Sequence, residues 1–274
     1  MNTLSFDRQI SILKALVEGN SIRSIERMND THRDTIMRLL VRIGGLCQTV
    51  LDTKMRGFHS RLIQADEIWT FVGKKERALN EAEKKNPALG DQYVFVALDA
   101  ETKLVPTFTI GKRNAQTTMI FIQDLQQRLQ ENGRIQPTTD GFGAYPEAIS
   151  EFFGRTVDYA QVVKLFASVN PGLGRYSPPR VAGVVSTPII GNPDEHHIST
   201  SFVESQNLTM RQAIRRFTRL TTGYSKKLEN LKAAVALHFA HYNLIRIHST
   251  LRISPAMAAG ITDHLWTWEE LLAT

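Results

Sequence analysis

Three carboxylates stand out by their surroundings. Asp66 lies within an apolar run, Leu62 to Val72, that reads as a β-strand. Asp140 ends a second short stretch, Ile135–Asp140, that reads as a strand, and is followed at once by Gly141. Glu204 falls in the first turns of a helical stretch that starts near Thr200. An acid inside an apolar strand is costly unless it is paired or holds a metal. Acids gathered together repel one another, and one of them takes up a proton unless a cation sits among them. Hard divalent cations answer this, because they prefer oxygen ligands and keep water positions open. Two ions, Mg²⁺ or Mn²⁺, roughly 4 Å apart would activate an attacking oxygen and stabilise a leaving one in phosphoryl displacement. Residue types leave plainer alternatives open. Asp140-Gly141 fits a turn, and Glu204 fits an acid favoured by a helix N-terminus. Glu67 is the nearest rival to Asp66, and Asp99 reads as a turn residue. Asn207 and Arg211 follow Glu204 at helical spacing and share its face, where an arginine can hold a phosphate.

These residues need elements to bring them together. Phe6, Ile10, Leu13 and Val17 repeat at helical spacing. Ser21 can cap a second helix, and Thr31 with Asp34 forms a capping box for a third that Gly44-Gly45 would end. Two short helices around a tight turn, the second bearing Arg33, Arg38 and Arg42, resemble a helix-turn-helix, and a plain helical cap fits equally. Gln48 to Ser60 reads as a linker or connecting helix. Tyr93–Leu98 and Leu104–Ile110 read as strands, Ala115–Leu129 as a helix, Ile135–Asp140 as a strand, Tyr145–Phe153 as a helix and Val157–Phe166 as a fifth strand. Residues 167–198 hold five of the ten prolines and form an inserted loop or hairpin. Helices follow, with Trp266 and Trp268 anchoring the tail. Three strands, helix, strand, helix, strand, then helices is the order of a ribonuclease-H-like α/β fold, a mixed five-stranded sheet flanked by helices. The expected division is a helix-turn-helix domain and linker at 1–57, a catalytic domain at 58–252, and a helical tail at 253–274.

Charge is distributed unevenly. The chain carries a net +6, yet Ser205 to Arg252 alone carries +8, with nine Lys/Arg against Glu229, and the remainder carries −2. A polyanion would bind that segment, which includes Arg211, Arg215, Lys226 and Lys227. Cys47 is the only cysteine, so internal disulfides and a thiolate zinc site are excluded, and a reducing, cytoplasmic compartment is expected. No apolar run reaches the roughly 18 residues of a membrane span.

Longer stretches carry a resemblance. Asp66-Glu67-Ile68-Trp69-Thr70-Phe71-Val72-Gly73-Lys74-Lys75, Thr139-Asp140-Gly141-Phe142-Gly143-Ala144-Tyr145 and Phe202-Val203-Glu204-Ser205-Gln206-Asn207-Leu208-Thr209-Met210-Arg211-Gln212 resemble blocks of the insertion-sequence-one family of bacterial transposases. Arg216-Phe217, Ser225-Lys226-Lys227, His241-Tyr242-Asn243 and Arg246 to Ala258 extend the likeness, which covers about Asp66 to Trp268. It implies an Asp66, Asp140, Glu204 metal triad, with Arg211 in the basic position after the glutamate. It also implies Mg²⁺-dependent cleavage of element ends and transfer of the 3′-hydroxyl into target DNA. Double-stranded DNA is the expected partner, bound by a homodimer or larger assembly in association with the nucleoid, and no membrane is involved. Asn207, Arg215, Lys226 and Lys227 are candidates for DNA contact, and Arg33, Arg38 and Arg42 for recognising element ends. Two other classes stay open: a non-catalytic DNA-binding regulator and a structure-selective nuclease. Two features depart from the family. Many relatives carry a cysteine zinc finger before the helix-turn-helix, and Pro137 sits in the strand leading to Asp140, which predicts a bulged or very short strand.

Overall fold

The computed structural model describes residues 4–130, 133–167 and 181–274. Helix α1 spans Phe6–Val17, α2 Ile22–Asn29 and α3 Arg33–Lys54. Ser21 caps α2 by accepting from the Ser24 amide at 3.0 Å. The cap of α3 is His32 rather than Thr31: His32 Nδ1 accepts from the Asp34 amide at 3.3 Å, while the Thr31 hydroxyl turns back to the Asn29 carbonyl. Nor does Gly44-Gly45 end α3. A Cβ on Gly44 would stand 2.4 Å from the Ala233 Cα, so this glycine lets two helices touch backbone to backbone. Of the stretch expected as a linker or connecting helix, Gln48 to Lys54 continues α3 and buries Val50 and Leu51.

The strands are β1 Leu62–Val72, β2 Gly90–Asp99, β3 Phe108–Gly111, β4 Gln136–Asp140, β5 Tyr159–Phe166 and β6 Val181–Ile190. Their order in one sheet is β3-β2-β1-β4-β5-β6. Strands β1 to β3 form an antiparallel meander, β4 and β5 join it in parallel, and β6 returns antiparallel to β5. The first five strands have the ribonuclease-H-like order and directions. The sixth comes from the inserted segment: of the expected loop or hairpin, residues 181–190 form a strand antiparallel to β5, and residues 168–180 lie outside the described ones. Pro188 is tolerated in β6 because that strand is the sheet edge. Pro137 is tolerated in β4 because pairing to β5 begins only at Thr138, and β4 is five residues long.

Helices α5 (Ala115–Arg128) and α6 (Tyr145–Phe153) cover one face of the sheet, and a short helix, α4 (Glu81–Lys84), lies between β1 and β2 in the chain. Their core includes Ile63 and Ala65 of β1, Phe95, Phe121, Ile149 and Tyr159. Helices α7 (Ser201–Ala213) and α8 (Leu228–Ala240) cover the other face, where Ile68 and Val72 of β1 share a core with α1 and α3. The chain ends in α9 (Pro255–Ala258) and α10 (Trp268–Ala273), with Trp266 and Trp268 buried. Strand alternation therefore sends even-numbered residues of β1 toward α7 and odd-numbered ones toward α6. Among the described residues, no helix is long and apolar enough to cross a membrane.

Candidate active site

The site exists because β1 outruns its neighbour. Pairing of β1 with β4 runs from Leu62↔Gln136 to Ala65↔Thr139, and β4 stops at Asp140, while β1 continues to Val72. Asp66 and Asp140 are thus side by side where the β4 flank of β1 opens. Past that end, a side chain on either face of β1 can reach around the sheet. Asp66 leaves on the α7 face and Glu67 on the α6 face, yet Asp66, Glu67 and Asp140 each place a carboxylate oxygen within 4.8 Å of the other two.

Local bonds fix each carboxylate. Asp140 Oδ1 accepts from the Phe142 amide at 3.0 Å, closing the turn that Gly141 begins. Asp66 Oδ1 accepts from the Glu67 amide at 2.8 Å, and its Oδ2 accepts from Asn207 Nδ2 at 2.9 Å. Glu67 is enclosed, with its side chain 2% exposed, against 35% for Asp140. Arg113, between β3 and α5, bridges the pair by donating to Glu67 Oε2 at 3.0 Å and Asp140 Oδ2 at 3.2 Å, with its guanidinium over the Phe142 ring. Glu67 Oε1 and the neighbouring Tyr145 hydroxyl are buried without a well-formed hydrogen bond, although burial and Asp140, which raise the Glu67 pKa, are partly offset by Tyr145 and Arg113, which lower it.

Helix α7 brings Glu204, and β1 decides where α7 starts. Thr200 precedes the helix but makes no capping bond to its first amides. Gln64 Oε1, on the same face of β1 as Asp66, accepts from the Phe202 amide at 2.8 Å and the Val203 amide at 3.1 Å. A strand side chain thus caps the helix and sets the depth at which Glu204 stands. Glu204 accepts from the Thr200 hydroxyl at 2.6 Å and from Lys164 of β5. Asp66, Glu67, Glu204, Asn207 and Arg211 line one open concavity of about 230 Å³. Burial, and after it Arg219, draws the Arg211 pKa down from its ordinary value.

Electrostatics marks the place as strained when no cation is present. Burial, and after it the charge of Asp140, raises Asp66 to about 6 and Glu67 to about 7. The donor set is all carboxylate oxygen, with Glu67 Oε1 unpartnered and Asp140 partly open to water. That set suits a hard divalent cation.

Of the expected triad, the structure brings Asp66 and Asp140 into one cluster together with Glu67. It stands Glu204 on the wall beside Asp66, engaged by Lys164. Asn207 and Arg211 line the concavity. Arg215, Lys226 and Lys227 are exposed on the connection between α7 and α8, and Arg33, Arg38 and Arg42 are exposed along α3. Arg42 donates to Gln9 at 2.5 Å and Arg38 to the Asp34 carbonyl at 3.3 Å. Arg113, Lys164 and Gln64 had no sequence signal. Glu67 had one, two adjacent acids in an apolar strand, but alternation alone points it away from Asp66.

No protein-family model matches this chain, and no curated protein does. Similar solved structures include a Mos1 transposase paired-end complex with left transposon end, at 14% identity and TM-score 0.22, covering 55% of this chain and 59% of that one. A Mos1 strand transfer complex matches at 15% identity and TM-score 0.23, over 55% of this chain and 57% of that one. A piggyBac transposase synaptic complex with hairpin DNA matches at 12% identity and TM-score 0.37, over 88% of this chain and 68% of that one. The chain therefore spans less than two thirds of the two Mos1 structures, and these partial overlaps add nothing to what its own strand order and carboxylates support.

Proposed function

We propose that this protein is a DNA transposase that cleaves element ends and transfers the resulting 3′-hydroxyl into target DNA. The observation that carries the reading is the meeting of Asp66, Glu67 and Asp140 where β1 outruns β4, with Glu204 and Arg211 on the adjoining wall. Asp66 and Asp140 would hold divalent metal, Mg²⁺ or Mn²⁺, with Glu204 completing the set and Glu67 adding negative charge beside it. Two such ions, when bound, would activate the attacking oxygen and stabilise the leaving one.

The remaining residues position and neutralise. Asn207 fixes the rotamer of Asp66 through its 2.9 Å bond. Arg211 offers a guanidinium to a phosphate oxygen at the mouth of the concavity. Lys164 and Arg113 balance carboxylate charge in the absence of DNA, and on binding each can turn to a phosphate. The cationic stretch containing Arg215, Lys226 and Lys227 would carry the flanking DNA. Arg33, Arg38 and Arg42 on α3 would meet the element end. Handling two ends at once calls for a dimer or larger assembly on DNA, at the nucleoid.

The test is nicking of supercoiled plasmid and joining of a pre-cut 3′-hydroxyl DNA end in Mg²⁺ or Mn²⁺. The wild-type protein should do both, and Asp140→Ala neither. Equal activity in the two proteins would sink the metal assignment. Nicking without joining would identify a nuclease instead, and binding without nicking a regulator. Glu204→Gln and Glu67→Gln compared in the same assay decide which glutamate the reaction needs, and the expected loss is the larger for Glu204→Gln.

A further inference from the structure

A second concentration of charge lies away from the carboxylates, and its sign is opposite. Between the N-terminal helices and the connection from α7 to α8 is a cavity of about 620 Å³. That is within the range of roughly 300 to 1,000 Å³ typical of small-ligand sites. Its cationic lining is Arg23, Arg33, Arg215, Arg216 and Lys226, against Asp34 as the one lining acid. Leu16, Val17, Met37, Ile214 and Leu237 supply an apolar wall, and Tyr224 adds an aromatic ring.

Two of its side chains are unsatisfied. Arg216 is half-buried and has no carboxylate partner among the described residues. Its guanidinium meets only Ser225 Oγ at 3.3 Å and Met37 Sδ at 3.6 Å, so most of its five N–H donors lack an acceptor. Burial alone lowers its pKa to about 10. A half-buried cation with no counter-charge has lost part of its hydration, and a bound anion would offset that loss. The second is His238, 2% exposed, on the same lining. Its Nε2 faces the Gln206 amide nitrogen at 3.4 Å, which makes Nε2 the acceptor and puts the ring proton on Nδ1. Nδ1 is buried and has no partner. The cavity thus presents a guanidinium without a counter-charge beside an apolar wall, with the unpartnered Nδ1 of His238 buried at its lining.

We propose that this cavity binds a nucleoside phosphate, with the phosphate on Arg216, the nucleoside body against the apolar wall and Tyr224, and Nδ1–H of His238 donating to the ligand. The nucleotide has two possible sources, free in solution or as one unit of a DNA strand, and both present the same chemistry. The site goes beyond the proposed cleavage reaction and does not need it, because it is separate from the carboxylates and its binding requires no metal.

The experiment is calorimetric titration of the full chain in EDTA with deoxyadenosine monophosphate, deoxyadenosine and inorganic phosphate. It runs alongside anisotropy of a labelled single-stranded oligonucleotide. The monophosphate or the oligonucleotide should bind, deoxyadenosine should bind about 10-fold more weakly than its phosphate, and Arg216→Met should weaken binding by about 10- to 100-fold, as expected for charged hydrogen bonds. Saturable binding of the monophosphate identifies a free nucleotide. Arg216-dependent binding of the oligonucleotide alone identifies a strand nucleotide. Arg216→Met should also unfold at a higher temperature than wild type in the absence of ligand, since it removes an uncompensated charge. Should that variant fail to fold, Arg23→Ala at the exposed rim, read with the monophosphate, decides instead. No binding by any phosphate-bearing probe, or affinity unchanged in these variants, overturns the proposal.

Discussion

The carboxylate cluster at the end of β4 and the arginine cavity beneath α3 are both places where this fold gathers like charge, and they handle it differently. At the cluster, Arg113 and Lys164 reach in and neutralise part of the excess. In the cavity, Arg216 and the cations around it have Asp34 alone as a lining acid, and Arg216 itself has no carboxylate partner. Burial raises the pKa of Asp66 and Glu67 and lowers that of Arg216 and His238, so in each place the folded protein resists its own charged form. The lesson concerns ligands. A self-neutralised cluster exchanges protein cations for the cation it binds, whereas an uncompensated cavity gains a counter-charge outright. Ligand binding at the cavity should therefore stabilise the fold more per site occupied.

The strongest way to break the comparison is at the cluster. Asp66→Asn or Asp140→Asn should reduce DNA cleavage by roughly a thousand-fold, corresponding to the several kcal/mol of charge stabilisation a metal supplies. Plasmid nicking at saturating Mn²⁺ measures it, and a loss below about 10-fold would place the chemistry elsewhere.

Acid probes the cavity. His238 is held neutral at about 3 in the folded protein, against an ordinary 6.5. An unfolded chain takes up that proton below about 6.5 and the native one does not. The His238 contribution is therefore fully present above 6.5 and is lost as pH falls toward 3, at no more than about 1.4 kcal/mol per pH unit. His241, also lowered by burial, to about 4, acts in the same direction, and the raised carboxylates act in the opposite one. The diagnostic quantity is the difference between wild type and His238→Gln in urea unfolding at about pH 7 and about pH 5. The variant should lose less stability on acidification, and parallel losses would count against a buried neutral imidazole.

Gly44→Ala disturbs the α3–α8 contact that walls the cavity and leaves the cluster alone. A Cβ 2.4 Å from Ala233 Cα must push the helices apart, at a cost of about 1–3 kcal/mol. A lowered Tm with nucleotide binding weakened and metal binding intact is the expected outcome, and an unchanged Tm would contradict the close approach. The smallest effect concerns the cluster again. Millimolar Mg²⁺ should raise Tm by a few degrees, EDTA should reverse it, and Asp66→Asn should abolish it.

The sequence by itself determined the elements and the chemistry available to them. The strand Leu62–Val72 and the helix Tyr145–Phe153 have the bounds that periodicity predicts, because alternation and helical spacing are local properties. It also determined that Asp66, Asp140 and Glu204 would stand on a strand, a strand end and a helix, and that positive charge would gather after Ser205. It misjudged where local rules meet distant partners: Gly44-Gly45 reads as a stop signal until Ala233 is packed against it. Tertiary structure alone decided that Glu67 curls around the open flank of β1 to join Asp140, and that Gln64 caps a helix 138 residues away. It alone left Arg216 without a carboxylate partner and Nδ1 of His238 without any partner among the described residues. The physical reason is common to all of these. A charge's cost and a hydrogen bond's completion depend on which groups are adjacent in space, and residue spacing along the chain carries that information only within a strand, a helix or a turn.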